Sequence, residues 1–174
     1  MACTPAELTI LGLVIERPAH GYDIEQVIEQ RGIRQWTEVG FSSIYYLLTK
    51  LEKRGLIQGA QPVPGPKSRR IYHATDEGRR VARQDVIAQL IEADPIPHPF
   101  LVGVANLPLL TEREYADALR ARLPQIEARI TAVREAEQSQ TPLPLAAREV
   151  FSYSLSLLEA ERSWLASRVQ ASHD

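Results

Sequence analysis

Apolar residues in the first 55 positions recur at helical spacing, and glycine or proline separates the amphipathic segments. Residues 4–7, Thr-Pro-Ala-Glu, form a capping-box pattern with proline at the first helical position, which predicts a helix ending near Glu16. A second helix is predicted over residues 20–32 and a third over residues 42–55, with Ser42 as its cap. The chain is therefore expected to begin with three helices.

Two short segments after the third predicted helix have the length and composition of paired strands. Residues 56–63 and 68–75 flank a loop rich in proline and glycine, which predicts a β-hairpin. Thr75 then caps a fourth helix, whose first turn carries Asp76 and Glu77, where acidic side chains favour the helix dipole. Three helices followed by a two-stranded wing indicate a winged helix-turn-helix domain.

The third predicted helix has an apolar face and a polar face. On a helical wheel the apolar residues, which should pack inward, are Ile44, Leu47, Leu48 and Leu51. The other face has hydroxyl, phenol and ammonium groups and no carboxylate, from Ser42, Ser43, Tyr46, Thr49, Lys50 and Lys53. Such groups donate to phosphate oxygens and reach base edges in a major groove, and Tyr45 at the edge should pack its ring and donate its hydroxyl. The alternative is a solvated helix face.

The predicted hairpin loop is basic. Lys67, Arg69 and Arg70 lie at or beside its tip, and residues 67–83 hold six basic residues against two acidic ones. A stiff, basic wing predicts contacts with the backbone or minor groove of a duplex. The alternative is a solubilising hairpin, because charged residues on exposed strands also prevent edge pairing. A basic wing beside a helix face without carboxylates favours DNA.

The second half of the chain has two long apolar seams. A capping box at Thr111–Glu114 begins the first helix, which Pro124 should kink or split. The seams predict an antiparallel, coiled-coil-like pair with the following members at the seam: Leu119, Ile126, Ile130, Phe151, Leu155, Leu158 and Leu165. One such pair buries little core, so a second protomer is the expected partner and these residues are the predicted dimerisation set. Packing only on the chain's own winged-helix domain is the alternative.

The proline distribution and charge divide the chain. Residues 1–90 hold 12 Lys and Arg against 10 Asp and Glu, whereas residues 91–174 hold 8 against 12. The sign changes at a proline cluster, Pro95 to Pro99, where we place the boundary. The expected organisation is a DNA-binding domain over 1–92, a proline-rich linker over 93–110 and a helical dimerisation domain over 111–174.

Several classes of function find no support in the composition. One cysteine excludes an intramolecular disulfide, and the four scattered histidines suggest no metal site. Neither a glycine-rich phosphate loop nor a nucleophile elbow is present, so we expect no cofactor and no enzymatic activity. No apolar run has the length of a membrane helix, which predicts a cytoplasmic protein that does not contact the membrane. Trp36 is expected in the core, with a ligand pocket as the alternative.

Four segments in order resemble the PadR family of bacterial transcriptional regulators: residues 10–24 with His-Gly-Tyr, Trp36, residues 42–57 with Ser-Ser-Ile-Tyr, and residues 66–78. The resemblance implies a dimeric repressor with an N-terminal winged helix and a helical C-terminal dimerisation domain. The C-terminal half is similar in pattern to the virulence-activator alpha C-terminal domain. Tyr46 stands where such sequences often have proline or a charged residue, so the operator sequence cannot be borrowed from relatives.

The resemblance also suggests a small aromatic or phenolic effector, held near the junction between the domains. The apolar residues just after the prolines, Phe100, Leu101, Val102 and Val104, are candidates to line its pocket, although they could instead close the core. The predicted function is a sequence-specific, dimeric repressor on a pseudo-palindromic operator. The alternative is a winged helix used as a protein-interaction module without DNA binding.

Overall fold

The helix α1 spans Pro5–Glu16 in the computed structural model, which describes residues 2–37, 39–40, 43–60, 70–93, 95, 97–140 and 142–171. The predicted capping box is present: the Glu7 amide donates to Thr4 Oγ1 at 3.2 Å, and the Thr4 amide donates to Glu7 Oε2 at 2.8 Å. Two of the amide donors that a helix N-terminus leaves unpaired are thereby satisfied. This end of α1 is as the sequence predicts.

The helices α2 (Gly21–Gln30) and α3 (Ser43–Lys53) follow. Past the end of each helix lies a glycine in the left-handed region, Gly32 with a φ of 62° and Gly55 with a φ of 70°. Glycine adopts this conformation without the steric penalty of a Cβ atom, which is why both helices end where predicted. Ser42, the predicted cap of α3, lies outside the described residues.

The hairpin and the fourth helix complete the first unit. Strand β1 (Ile57–Gly59) pairs antiparallel with β2 (Tyr72–Ala74), and α4 spans Asp76–Ile91. Ala19 extends the sheet by exchanging two backbone hydrogen bonds with Tyr72, at 3.0 and 3.3 Å. The predicted hairpin is confirmed, and residues 61–69 between its strands lie outside the described part of the chain.

A single apolar core joins α1, α2, α3, the hairpin and α4. Its fully buried side chains include Ile10, Leu11, Ile24, Leu48 and Ile57. Trp36, which we expected in this core, is 52% exposed, so that expectation is wrong. Ile33 and Val39 on either side of it are buried instead, and they anchor the loop between α2 and α3.

The second unit follows Pro95. It contains α5 (Pro99–Ala105), a 3₁₀ turn over Leu107–Leu109, α6 (Glu112–Ser139) and α7 (Leu145–Ala171). We expected residues 93–110 to be a linker, but much of that range is helical. Proline at the first helical turn starts α5, because the missing amide would be unpaired there in any case.

The helix α6 is continuous through Pro124, so of the two expected effects, a kink or a split, the split does not occur. Proline removes one backbone hydrogen bond. Leu119 and Ile126 on either side of it are buried against α7, and this packing stabilises the helix across the missing bond. Ion pairs of Arg122 with Glu161 at 2.6 Å and Arg134 with Glu159 at 2.7 Å join α6 and α7 in antiparallel order. Within the described ranges no helix is long and apolar enough to cross a membrane.

Candidate nucleic-acid interface

The apolar face of α3 is buried as the helical wheel predicts. Ile44, Leu48 and Leu51 have no exposed surface and Leu47 retains 7%. This packing fixes the rotation of α3 about its own axis, so the opposite side of the helix is held toward solvent. The outward surface carries Tyr46, which is 66% exposed, and half-exposed or exposed neighbours from the same helix.

Tyr45 combines packing with exposure, as its place at the edge of the helix predicts. Its ring lies over Gly21 at the start of α2, where an added Cβ would approach the Tyr45 Cε1 atom to 2.7 Å. The side chain is nevertheless 57% exposed. Gly21 is therefore required for the close approach of α2 to the ring, and Tyr45 is braced while part of its surface remains open to a partner.

The hydroxyl groups of Ser43 and Thr49 on α3 already donate hydrogen bonds within the protein. Ser43 Oγ donates to the Gly40 carbonyl at 2.6 Å, and Thr49 Oγ1 donates to the Tyr45 carbonyl at 2.9 Å. We predicted both as donors to phosphate or base edges. In this arrangement each hydroxyl offers acceptor lone pairs instead, and donation to a nucleic acid requires it to rotate away from the backbone.

Lys50 does not project freely from α3, in contrast to the wheel. Its ammonium lies 2.9 Å from Oε1 of Glu7 in α1, and Arg54 Nη1 lies 3.2 Å from Oε2 of the same carboxylate. The Glu7 side chain is 1% exposed, whereas that of Lys50 is 41% exposed. The predicted polar face free of carboxylates therefore has a buried carboxylate at its edge.

Sequence reasoning identified Glu7 only as a capping residue and missed its ion pairs. A signal was present, because Glu7 precedes Leu11 and Val14 by four and seven residues and so lies on the buried stripe of α1. Burial raises the pKa of Glu7, but the hydrogen bond from the Thr4 amide and the ion pairs with Lys50 and Arg54 lower it by more. Its pKa thus lies below the ordinary value, and the contact raises the pKa of Lys50.

Arg70 is held at the root of the wing. Its Nη1 donates to Glu52 Oε2 at 2.8 Å, its Nη2 lies 2.8 Å from Glu52 Oε1, and its guanidinium lies 5.6 Å from the centre of the Tyr72 ring. Glu52 Oε1 also accepts the Gly59 amide at 2.9 Å. The C-terminal end of α3 is thereby tied to both strands. The other two predicted wing contacts, Lys67 and Arg69, lie outside the described residues.

The basic residues after the wing lie on α4 and differ in their surroundings. Arg80 pairs with Glu77 on α4 at 2.5 Å. Arg79 and Arg83 instead line a groove of about 490 Å³ between α1 and α4, together with apolar side chains. Of the six basic residues of 67–83, Arg70 and Arg80 are therefore engaged by carboxylates, whereas Arg79 and Arg83 border the groove.

The predicted dimerisation residues pack within one chain. Leu119, Ile126, Ile130, Leu158 and Leu165 form the buried core between α6 and α7, and Leu155 packs on it, while Phe151 is half-buried. The antiparallel pair is confirmed, but its apolar seam is buried between α6 and α7 of the same protomer. The large apolar side chains that remain exposed on α7 are Leu145 at its first position and Val150, Tyr153 and Leu157 further along.

Phe100, a predicted pocket residue, closes the core of the second unit. Its ring meets Trp164 edge-on at 5.7 Å, and the Arg122 guanidinium lies 4.4 Å from its centre. Leu101 and Val102 are 62% and 65% exposed, and Val104 is half-buried. A search of the described side chains finds no group of three His, Cys, Asp or Glu residues that could hold a metal ion.

Three helices, an antiparallel hairpin and a fourth helix define a winged-helix DNA-binding type of domain in the first unit. Residues 10–84, which make up most of the first unit, match the model of the transcriptional regulator PadR-like family. Comparison with curated proteins by sequence gives no match.

Solved structures have the same fold over nearly the whole chain. Bacillus subtilis PadR, in a crystal structure with operator DNA, matches with a TM-score of 0.75 and 24% identity over 95% of this chain and 98% of that one. A structure of the same protein with p-coumaric acid matches with a TM-score of 0.75 and 22% identity, covering 99% of each chain. The Vibrio cholerae virulence activator AphA matches with a TM-score of 0.74 and 17% identity, covering 95% and 96%.

Proposed function

We propose that this protein is a sequence-specific DNA-binding regulator that acts as a homodimeric repressor and is released by a small aromatic ligand. The observation that carries the proposal is the outward side of α3, where Tyr45 and Tyr46 stand exposed on a helix whose other side is fully buried. A rigid helix with exposed polar and aromatic groups suits readout of base edges in the major groove. The match of residues 10–84 to the PadR-like family model supports the same function.

Base readout is assigned to Tyr45, Tyr46 and Ser43, with Ser42 and Thr49 beside them on the same helix. A phenol hydroxyl donates to or accepts from a base edge, and its ring packs against the thymine methyl group. Backbone contacts are assigned to the wing residues Lys67 and Arg69, and to Arg70, whose guanidinium would exchange its pair with the partly exposed Glu52 for a phosphate. Because phosphate contacts carry no sequence information, alanine at these three positions should weaken binding to all duplexes and flatten the salt slope by about 0.9 per lost contact.

The second unit is proposed to make the dimer. Val150, Tyr153 and Leu157 recur at steps of three and four on α7 and form an exposed apolar stripe on the helix pair. The buried seam residues support this stripe from inside the protomer and do not themselves meet the partner. A two-fold dimer reads half-sites separated by about one helical turn, so the operator should be a pseudo-palindrome.

The effector is proposed to be a small phenolic or aromatic acid. One of the structurally similar proteins, Bacillus subtilis PadR, has a crystal structure with p-coumaric acid. A ligand releases the operator only through its difference in affinity between the DNA-bound and free states. A panel of phenolic acids is therefore screened for compounds that both raise the melting temperature and weaken operator binding. A panel without such a compound would point to control by protein abundance alone.

Fluorescence anisotropy with duplexes from the gene's own upstream region tests the DNA-binding function. We expect binding at least 10³-fold tighter to one pseudo-palindromic segment than to its shuffled counterpart, with affinity falling steeply between about 50 and 200 mM salt. Equal affinity for both duplexes would indicate non-specific binding. Absence of binding to either would favour the protein-interaction module.

A further inference from the structure

Glu7, Lys50 and Arg54 form an ion-pair network between the start of α1 and the C-terminal half of α3. The Lys50 ammonium is 2.9 Å from one carboxylate oxygen, and Arg54 Nη1 is 3.2 Å from the other. Lys50 is on α3 and Arg54 directly follows the last residue of that helix, one turn further along the chain, while the carboxylate belongs to α1. One buried side chain therefore binds the last turn of the helix that carries the proposed base contacts and the residue directly after it.

The position of the Glu7 carboxylate is itself fixed. Its Oε2 accepts the Thr4 amide at 2.8 Å in the capping box, and the side chain is only 1% exposed. A carboxylate held by its own helix and paired with two cations has little rotational freedom, and removing it would leave two charges without their partner. The pairing thus sets where the Lys50 ammonium lies, although 41% of that side chain is open to solvent.

A free lysine on this side of α3 would attract any duplex equally. Phosphate contacts strengthen binding without regard to sequence, and each adds about 0.9 to the salt slope of affinity. Lys50 lies one turn after Tyr46, close to the residues assigned to base readout. Withholding its charge from phosphates therefore favours discrimination between sequences over affinity for DNA in general.

We propose that Glu7 is a positioning residue of the DNA-binding surface, which holds Lys50 against α1 and keeps this ammonium from acting as a sequence-independent phosphate contact. The inference rests on the proposed DNA-binding function and assigns to Glu7 a role in specificity. Glu7 does not touch the nucleic acid. It acts through Lys50, and Arg54 shares the carboxylate as a structural partner.

The test compares two charge-matched variants of the full-length protein. Glu7→Gln keeps the shape of the side chain and releases Lys50. Glu16→Gln is the control, because Glu16 lies on the same helix as Glu7 and its exposed carboxylate pairs with Arg31. Affinities for the operator segment and its shuffled counterpart are measured over a range of salt concentrations. The salt slope of Glu7→Gln should exceed that of Glu16→Gln by about 0.9, and its preference for the operator should fall by about 3- to 10-fold.

A second substitution identifies the released group. Adding Lys50→Gln to Glu7→Gln should return the salt slope to that of the wild type, because the freed ammonium is then absent. A purely structural role for Glu7 would lower the melting temperature and leave the slope of Glu7→Gln equal to that of Glu16→Gln, which would overturn the inference while the proposed function stands. Wild-type protein that binds no duplex would overturn both.

If Glu7→Gln does not fold, Lys50→Gln alone decides the matter. A lysine already held by Glu7 contributes no phosphate contact, so this variant should keep the wild-type salt slope. A slope that falls by about 0.9 would show that Lys50 binds phosphate in the wild type and would overturn the inference.

Discussion

The two units of this chain bury their apolar residues in different ways. In the first unit, α1 to α4 and the hairpin enclose one continuous core, and even a carboxylate, Glu7, is taken into it. In the second unit the described buried side chains are few, and they form one seam between α6 and α7. The first unit thus holds a helix in a fixed orientation, whereas the second has a narrower core, and the exposed apolar residues of α7 beside it are the surface proposed to meet a second protomer.

The largest effect on oligomeric state and DNA affinity is expected when the first unit is produced without the second. A chain truncated after Pro95 should fold cooperatively and remain monomeric, because its core is complete. Its operator affinity should fall by roughly 10²-fold or more, since two half-sites are no longer bound by one molecule. Sedimentation and anisotropy measure both properties. A truncated chain that is still dimeric would remove α6 and α7 from the dimer role.

Core truncations should distinguish the two units energetically. Leu48→Ala leaves a cavity in an enclosed core and should cost about 2–5 kcal/mol of unfolding free energy. Leu158→Ala, at a seam that is open on one side, should cost about 1–3 kcal/mol, and both the wild type and this variant should become more stable as the protein concentration rises, because only folded chains form the dimer. Denaturant unfolding at two protein concentrations measures these losses. A wild-type stability that does not depend on protein concentration would contradict the role given to the second unit.

A charge on the exposed stripe of α7 tests whether this stripe is the part of the second unit that contacts the partner protomer. Tyr153→Glu should raise the dimer dissociation constant by about tenfold or more, because an interface would have to bury an unpaired carboxylate. Ser152→Glu, which adds the same charge at an exposed position about 100° around the helix from Tyr153, is the matched control. Sedimentation equilibrium measures both variants. If they dissociate equally, the partner protomer binds elsewhere.

The smallest effect concerns pH and is confined to the first unit. The pKa of Glu7 is lower in the folded state than in the unfolded chain, so the unfolded state binds the proton more readily. The stabilisation is present at neutral pH and is lost as the pH falls through the folded-state pKa. Glu7→Gln should therefore melt below the wild type at pH 7, and the difference should narrow in acid. A constant difference from pH 7 to pH 3 would contradict this ion-pair role.

The sequence by itself determined the local structure of this protein. The capping boxes at Thr4 and Thr111, the left-handed glycines Gly32 and Gly55, and the buried face of α3 are all where the residue pattern predicts. Each depends on neighbours within a few positions, whose backbone geometry and periodicity are set by the chain alone.

Only the tertiary structure decided which charges pair and which apolar surfaces remain open. Lys50 and Arg70 belong to polar patterns, yet each meets a carboxylate from a distant part of the sequence, and a helical wheel includes no neighbours from other elements. Pro124 fits inside α6 because α7 packs across it, and the predicted dimer seam is filled by the protomer's own helix. These outcomes depend on what lies opposite each residue in space, which periodicity along one chain does not specify.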